Sequence, residues 1–135
     1  MNSVLYNSDF KLNGVSYSLE SLLSTTKITH YSLFKFLKKW TDKSLTLELQ
    51  TSGSTGVPKK LHISKSKMIR SANRTGAFLN LQPSDKALCC LPLEYIAGKM
   101  MVVRALVLGL NLYLTEPVKN PLKTFSMKFD FVAFT

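Results

Sequence analysis

The sequence predicts an α/β fold: a largely parallel sheet flanked by helices and incomplete at its C-terminus. Three observations predict it. From Lys65 onward, segments with helical spacing alternate with short strand-like segments. The strand-like segments, such as Ala87-Leu88-Cys89-Cys90 and Phe131-Val132-Ala133-Phe134, are almost continuous apolar runs, as expected of strands covered on both faces. The chain then stops at Thr135, directly after such a run and with no helix to cover it. An edge strand that happens to be last would look the same, but the reading adopted is an N-terminal piece of a longer α/β protein.

The elements follow in order. Residues 1–30 are weakly patterned. Leu12, Val15, Tyr17 and Leu19 around the turn-prone Asn13-Gly14 predict a short hairpin or loose strand and then a short helical turn. Between Tyr31 and Trp40, Leu33, Phe36, Leu37 and Trp40 fall at i, i+3, i+4 and i+7, the stripe of an amphipathic helix. Lys35, Lys38 and Lys39 lie mostly off that stripe and read as a solvated face. Leu45, Leu47 and Leu49 alternate with polar residues, a half-buried strand, and Leu61 and Ile63 flank His62 in a second. Ser64 is a fair N-cap for a helix from about Lys65 to Leu79. A strand from Lys86 to Leu91 ends at Pro92, and a helix from about Ala97 to Leu108 stops at Gly109. Strands over Leu110–Leu114 and Phe129–Phe134 follow. The predicted organisation is one partial domain over 1–135, with 1–44 as lead-in and 45–135 as α/β core.

Composition narrows the classes. A chain of 135 residues is the size of one domain, and 45% hydrophobic with 19% charged residues excludes a disordered chain. Eighteen Lys and Arg against eight Asp and Glu give a net charge of +10, which favours anionic partners without choosing among them. The two cysteines, Cys89 and Cys90, are adjacent, so a disulfide framework is not expected and a reducing compartment is. They read as small strand residues. No secretory signal is visible, and the most apolar stretch, Met100–Leu114, is too short to span a bilayer and is interrupted by Arg104. The expected setting is cytoplasmic, with no membrane partner. His30 and His62 have no metal-ligand spacing with the cysteines, and no metal site is predicted.

The chemistry is concentrated in Thr51-Ser52-Gly53-Ser54-Thr55-Gly56-Val57-Pro58-Lys59-Lys60, between two predicted strands. Glycines let successive backbone N–H groups converge on one anion, hydroxyls donate further hydrogen bonds, and a lysine adds a mobile charge. A polyphosphate is the natural occupant; a glycine-rich hairpin with solvated hydroxyls is the bland alternative. A Walker A loop is rejected. Aligned from Gly53, Lys59 falls at the lysine position, but Pro58 replaces the second glycine, Lys60 replaces the Mg²⁺-binding hydroxyl residue, and a strand follows instead of a helix.

The string from Thr51 to Lys59 resembles the signature phosphate loop of the adenylate-forming superfamily, the acyl-CoA synthetase and luciferase-like enzymes. Glu48 departs from that pattern, at a place the family usually keeps apolar. The resemblance extends to Cys90-Leu91-Pro92-Leu93 and Tyr95-Ile96-Ala97-Gly98, although many relatives carry His where this chain has Tyr95. The run Tyr95–Leu110 is most similar to the o-succinylbenzoate–CoA ligases of menaquinone biosynthesis. The whole resemblance covers about Leu47 to Pro121.

What the resemblance implies is carboxylate activation by ATP, with release of pyrophosphate, and then thioester formation with CoA. ATP, Mg²⁺ and CoA are thus the cofactors implied for the full-length enzyme, and a small carboxylic acid its substrate. Ser52, Gly53, Ser54, Thr55 and Gly56 would wrap the β- and γ-phosphates, with Thr51 at the loop's entry. Lys59 would be the catalytic cation, while Lys60 would be exposed. Tyr95 and Gly98 would border the acyl pocket; a core aromatic is the other reading of Tyr95. Lys99 and Arg104 are candidates for the second carboxylate of o-succinylbenzoate. Five residues apart, they stand roughly 140° apart around a helix, and Arg104 is favoured because apolar neighbours make an unpaired charge costly. A structural Arg paired with a carboxylate is the alternative there.

The family's later motifs are absent from these 135 residues: the Tyr-Gly-x-Thr-Glu segment, the ribose-binding Asp and the C-terminal domain with its catalytic lysine. The chain is therefore expected to be inactive alone, with a severed sheet edge that could pair with a second copy. Six of the eighteen basic residues fall between Lys59 and Arg74, as a solvated face or as steering for ATP. Another carboxylate-activating adenylate-forming enzyme is the nearer alternative, and a competing class is a basic, non-enzymatic nucleic-acid-binding module. It is disfavoured because the lysines are spread along the chain and no RNP, KH or zinc pattern occurs.

Overall fold

A computed structural model describes residues 5–51, 56–57, 59–115 and 128–133. The first strands, β1 (Lys11–Leu12) and β2 (Val15–Ser16), form an antiparallel hairpin. Its turn places Asn13 at φ 50° and Gly14 at φ 84°, the left-handed pair that a two-residue hairpin requires. Asn111 fixes this turn to the sheet by accepting from the Gly14 N–H at 3.0 Å. The helical turn expected next is a full helix, α1 (Leu19–Thr29), whose N-cap Ser18 accepts from the Ser21 N–H at 3.1 Å. Such a cap is worth about 1 kcal/mol. Helix α2 (Tyr31–Trp40) buries the predicted stripe, Leu33, Phe36, Leu37 and Trp40. The Trp40 indole N–H reaches the Leu5 carbonyl at 2.9 Å, so a polar group inside the core is satisfied.

The two strands around the predicted phosphate loop, β3 (Thr46–Gln50) and β4 (Lys60–Ser64), pair antiparallel as a separate two-stranded sheet. Leu47 and Leu49 face the core while Glu48 faces outward. Helix α3 (Lys65–Phe78) follows at once, capped by Ser64, which accepts from the Lys67 N–H at 3.2 Å. Its first residue is nearly buried: Lys65 sits 2.9 Å from Asp42 in an ion pair that ties α3 to the turn after α2.

Strand β5 (Lys86–Cys89), helix α4 (Ile96–Leu108), strand β6 (Asn111–Leu114) and strand β7 (Phe131–Ala133) complete the described elements. The main sheet runs β2-β1-β6-β5-β7, with β1/β6, β6/β5 and β5/β7 all parallel. The mostly parallel α/β prediction therefore holds, and the hairpin within residues 1–44 contributes two of its strands. The predicted strand to Leu91 ends two residues earlier. Part of the last predicted strand, Phe134, lies outside the described residues. Helix α4 ends at Gly109, whose φ of 73° is the left-handed C-cap that glycine adopts without strain. Gly76 on α3 meets the Leu108 side chain on α4, which lets the two helices approach closely. No helix among the described residues is long and apolar enough to cross a membrane.

Candidate functional site

The loop starts from a closed hairpin. Gln50 pairs with Lys60 at the end of the ladder, and the Thr51 N–H donates to the Lys59 carbonyl at 2.9 Å. Gly56 has φ 82°, and a β-carbon there would meet nothing within 4 Å, so it is the backbone conformation and not space that calls for glycine. Ser52, Gly53, Ser54 and Thr55 lie outside the described residues, as does Pro58. Lys59 is exposed. Lys60 is exposed as expected and stands 3.7 Å from Glu48 across the hairpin. Glu48, polar where the resembling family is apolar, thus occupies an outward position of β3 where its charge remains hydrated.

Two clefts are present among the described residues, and the first adjoins this hairpin. The first, about 540 Å³, lies between α2, β3 and the start of α4, and is lined by Lys35, Lys38, Lys39, Lys60 and Lys99 together with Glu48 and Glu94. The second, about 650 Å³, opens at the C-terminal ends of β5 and β6, where Cys89, Leu114 and Thr115 meet His30, Tyr31 and Tyr95. Ser32, Leu93 and Glu94 line both, so the two are continuous. The crevice beyond the carboxyl ends of parallel strands is the usual ligand site of an α/β sheet.

The predicted acyl-pocket residues separate. Tyr95 is the N-cap of α4 and lines the second cleft, half-buried. Gly98 lines neither cleft. It is buried against the Leu91-Pro92 backbone, where a β-carbon would collide with the Pro92 carbonyl oxygen, so its place in the structure is a close helix–loop contact. Lys99 faces the first cleft, and its Nζ donates to the Glu94 carbonyl at 3.0 Å. Burial, then the charge of Lys39, push its ammonium below the usual lysine range; Lys35 adds to this and Glu94 opposes it. Arg104 lines neither cleft and packs its guanidinium 5.9 Å from the Phe131 ring centroid. Its Nε is buried with no hydrogen-bond partner among the described residues, and burial lowers its pKa. The structure therefore does not bring Lys99 and Arg104 into one site. The carboxylate partner considered for a structural Arg104 is not found among the described residues.

Sequence reasoning missed His30, Tyr31 and Glu94 as lining residues. His30 sits at the junction of α1 and α2, its Nδ1 2.9 Å from the Thr29 hydroxyl, and no spacing along the chain connects it to Tyr95. Cys89 and Cys90 are buried and free of disulfides, and burial pushes the Cys89 thiol up to about 11. Among the described residues no three His, Cys, Asp or Glu side chains group as metal ligands.

Comparison with known proteins bears on this geometry. A crystal structure of an acyl-CoA synthetase (AMP-forming)/AMP-acid ligase II-like protein from Dyadobacter fermentans superposes with a TM-score of 0.69. It is 42% identical, over 75% of this chain and 29% of that one. The 2-succinylbenzoate–CoA ligase of Listeria monocytogenes serovar 1/2a is 32% identical over 76% of this chain, and that of Enterococcus faecalis is 36% identical over 55%. The chain spans only 21% and 15% of the length of those two relatives. The family described as AMP-binding enzyme matches residues 19–132. With most of its length matched, the chain belongs to the AMP-binding enzyme family.

Proposed function

We propose that the chain supplies the polyphosphate cradle and part of the acid-binding wall of an ATP-dependent acid–CoA ligase whose acid is o-succinylbenzoate (2-succinylbenzoate). In the first half-reaction a carboxylate oxygen of the acid attacks the α-phosphorus of ATP, the bond to the β,γ-phosphates breaks, and acyl-adenylate and pyrophosphate result. In the second, the CoA thiol displaces AMP. The observation that carries the reading is the loop Thr51–Lys59 itself, a run of glycines and hydroxyls closed at its base by the Thr51–Lys59 backbone bond. Charge builds on the departing pyrophosphate, and fixed donors with a nearby cation stabilise it. Ser52, Gly53, Ser54, Thr55 and Gly56 are the proposed donors, and Lys59 the cation.

The acid is proposed to occupy the second cleft beside Tyr95. Its identity is supported by the names of the relatives. Arg104 lines neither cleft and is given no part in holding the acid. The residues described offer no metal-ligand cluster, so no step is assigned to Mg²⁺ on this chain. Calorimetric titration tests both halves. Lys59→Gln should weaken ATP binding about tenfold, as expected for losing one close cation at a partly screened site. Tyr95→Ala should weaken o-succinylbenzoate binding, while Tyr95→Phe, which keeps the ring beside the second cleft, should retain most of it. Equal ATP affinity in Lys59→Gln and the parent chain would contradict the cradle.

A further inference from the structure

We infer that the cleft between α2 and α4 is a second anion-binding site, in which Lys35, Lys39 and Lys99 hold the phosphate groups of a phosphorylated small molecule, apart from the loop between β3 and β4. The sequence treats the α2 lysines as a solvated face. They remain exposed, but the fold sets that face beside β3 and the first turn of α4, so that lysines from α2, β4 and α4 line one concavity of about 540 Å³. Five lysines face two glutamates, and one of those, Glu48, is already within 3.7 Å of Lys60.

The remaining cations outnumber the acidic groups near them, Glu94 beside Lys99 and Asp42 beside Lys39. Among the described residues Lys35, Lys38, Lys39 and Lys99 form no ion pair; Lys35 lies 5.6 Å from the Tyr31 ring centroid, and Lys99 bonds a backbone carbonyl at 3.0 Å. Lys99 is half-buried, and the unfavourable effect of Lys39 and Lys35 on its charged form is the repulsion that an anion between them would relieve. The floor is apolar, with Phe36, Leu47 and Leu49 buried beneath the lysines, so water competes poorly from below. No arginine lines the cleft. Lysines bind phosphate as point charges, whereas planar bidentate capture of a carboxylate favours arginine. Several uncompensated charges match a polyanionic phosphate better than a single carboxylate.

The test uses inorganic pyrophosphate titrated calorimetrically into the 135-residue chain, the double variant Lys35→Gln/Lys39→Gln, and Lys59→Gln. Both substituted α2 residues are exposed, so the fold should persist, with unchanged Trp40 fluorescence as the check. The expected result is an affinity lowered about tenfold in the double variant, with binding still measurable in Lys59→Gln. If Lys59→Gln titrates like the parent while the double variant loses affinity, the loop reading fails and the cleft stands. If the double variant titrates like the parent, or pyrophosphate does not bind the parent at all, the cleft is not an anion site. Loss of all binding in Lys59→Gln alone overturns it equally and assigns the anion to the loop.

Discussion

Gly98 and Pro92 are in such close backbone contact that a β-carbon on Gly98 would collide with the Pro92 carbonyl oxygen and stand 2.7 Å from its carbonyl carbon. The first turn of α4 is thereby seated on the segment that carries Leu91 and Leu93 into the two clefts. Because the obstacle is backbone, it cannot rotate away. Gly98→Ala should destabilise the chain by about 1–3 kcal/mol despite the better helix propensity of alanine. Gly76→Ala is the control: its β-carbon would meet only the ends of the Leu108 side chain, at 2.7 and 3.0 Å, which can shift. Urea midpoints should fall clearly for Gly98→Ala and little for Gly76→Ala. Equal midpoints would contradict the contact.

The Asp42–Lys65 pair predicts acid sensitivity. The Lys65 hydrogen bond, then the Ser44 N–H, hold the Asp42 carboxyl below the usual carboxylate range. A lowered folded-state pKa contributes stability that is present above the unfolded value of about 3.9 and lost as pH falls through the folded value. Asp42→Asn should therefore be less stable than the parent at pH 7, because Lys65, with 7% side-chain exposure, loses its counter-charge. The gap should shrink at pH 2–3, where the parent carboxylate is protonated too. Denaturant midpoints at the two pH values would show it; a gap independent of pH would contradict the pair.

The cysteines should be inert in the folded chain. With the Cys89 thiol pushed up to about 11, its thiolate fraction at pH 8 is about one in a thousand, and both side chains are buried. A disulfide reagent should label neither rapidly under native conditions and both in denaturant. Fast native labelling of either would show that the β5 end opens more than the packing implies.

How far these features can be read from the chain depends on whether the signal is local. Helix α2 was legible because Leu33, Phe36, Leu37 and Trp40 all face the core at helical spacing. Helix α1 was not, since only Leu22 and Thr26 are buried, one of them polar, while the apolar Ile28 is exposed. The loop could be recognised from Thr51–Lys59 alone because its chemistry is contiguous. The clefts could not: the first joins residues 32–39, 47–50, 60 and 93–99, which only the tertiary fold brings together. Gly98 carries the same lesson. The motif suggested a pocket border, but the structure uses the missing side chain for helix seating. Lys65 gave no sequence signal of burial, because its partner Asp42 lies in a turn rather than at a helical spacing.

The central claim, that the Thr51–Lys59 turn cradles a nucleotide's phosphates, is tested most directly by amide ¹⁵N–¹H shifts of the chain during titration with ATP. The prediction is saturable shifts concentrated on the amides from Thr51 to Gly56 and on Lys59, weakened in Lys59→Gln. Saturation elsewhere in the chain with those amides unmoved would contradict it.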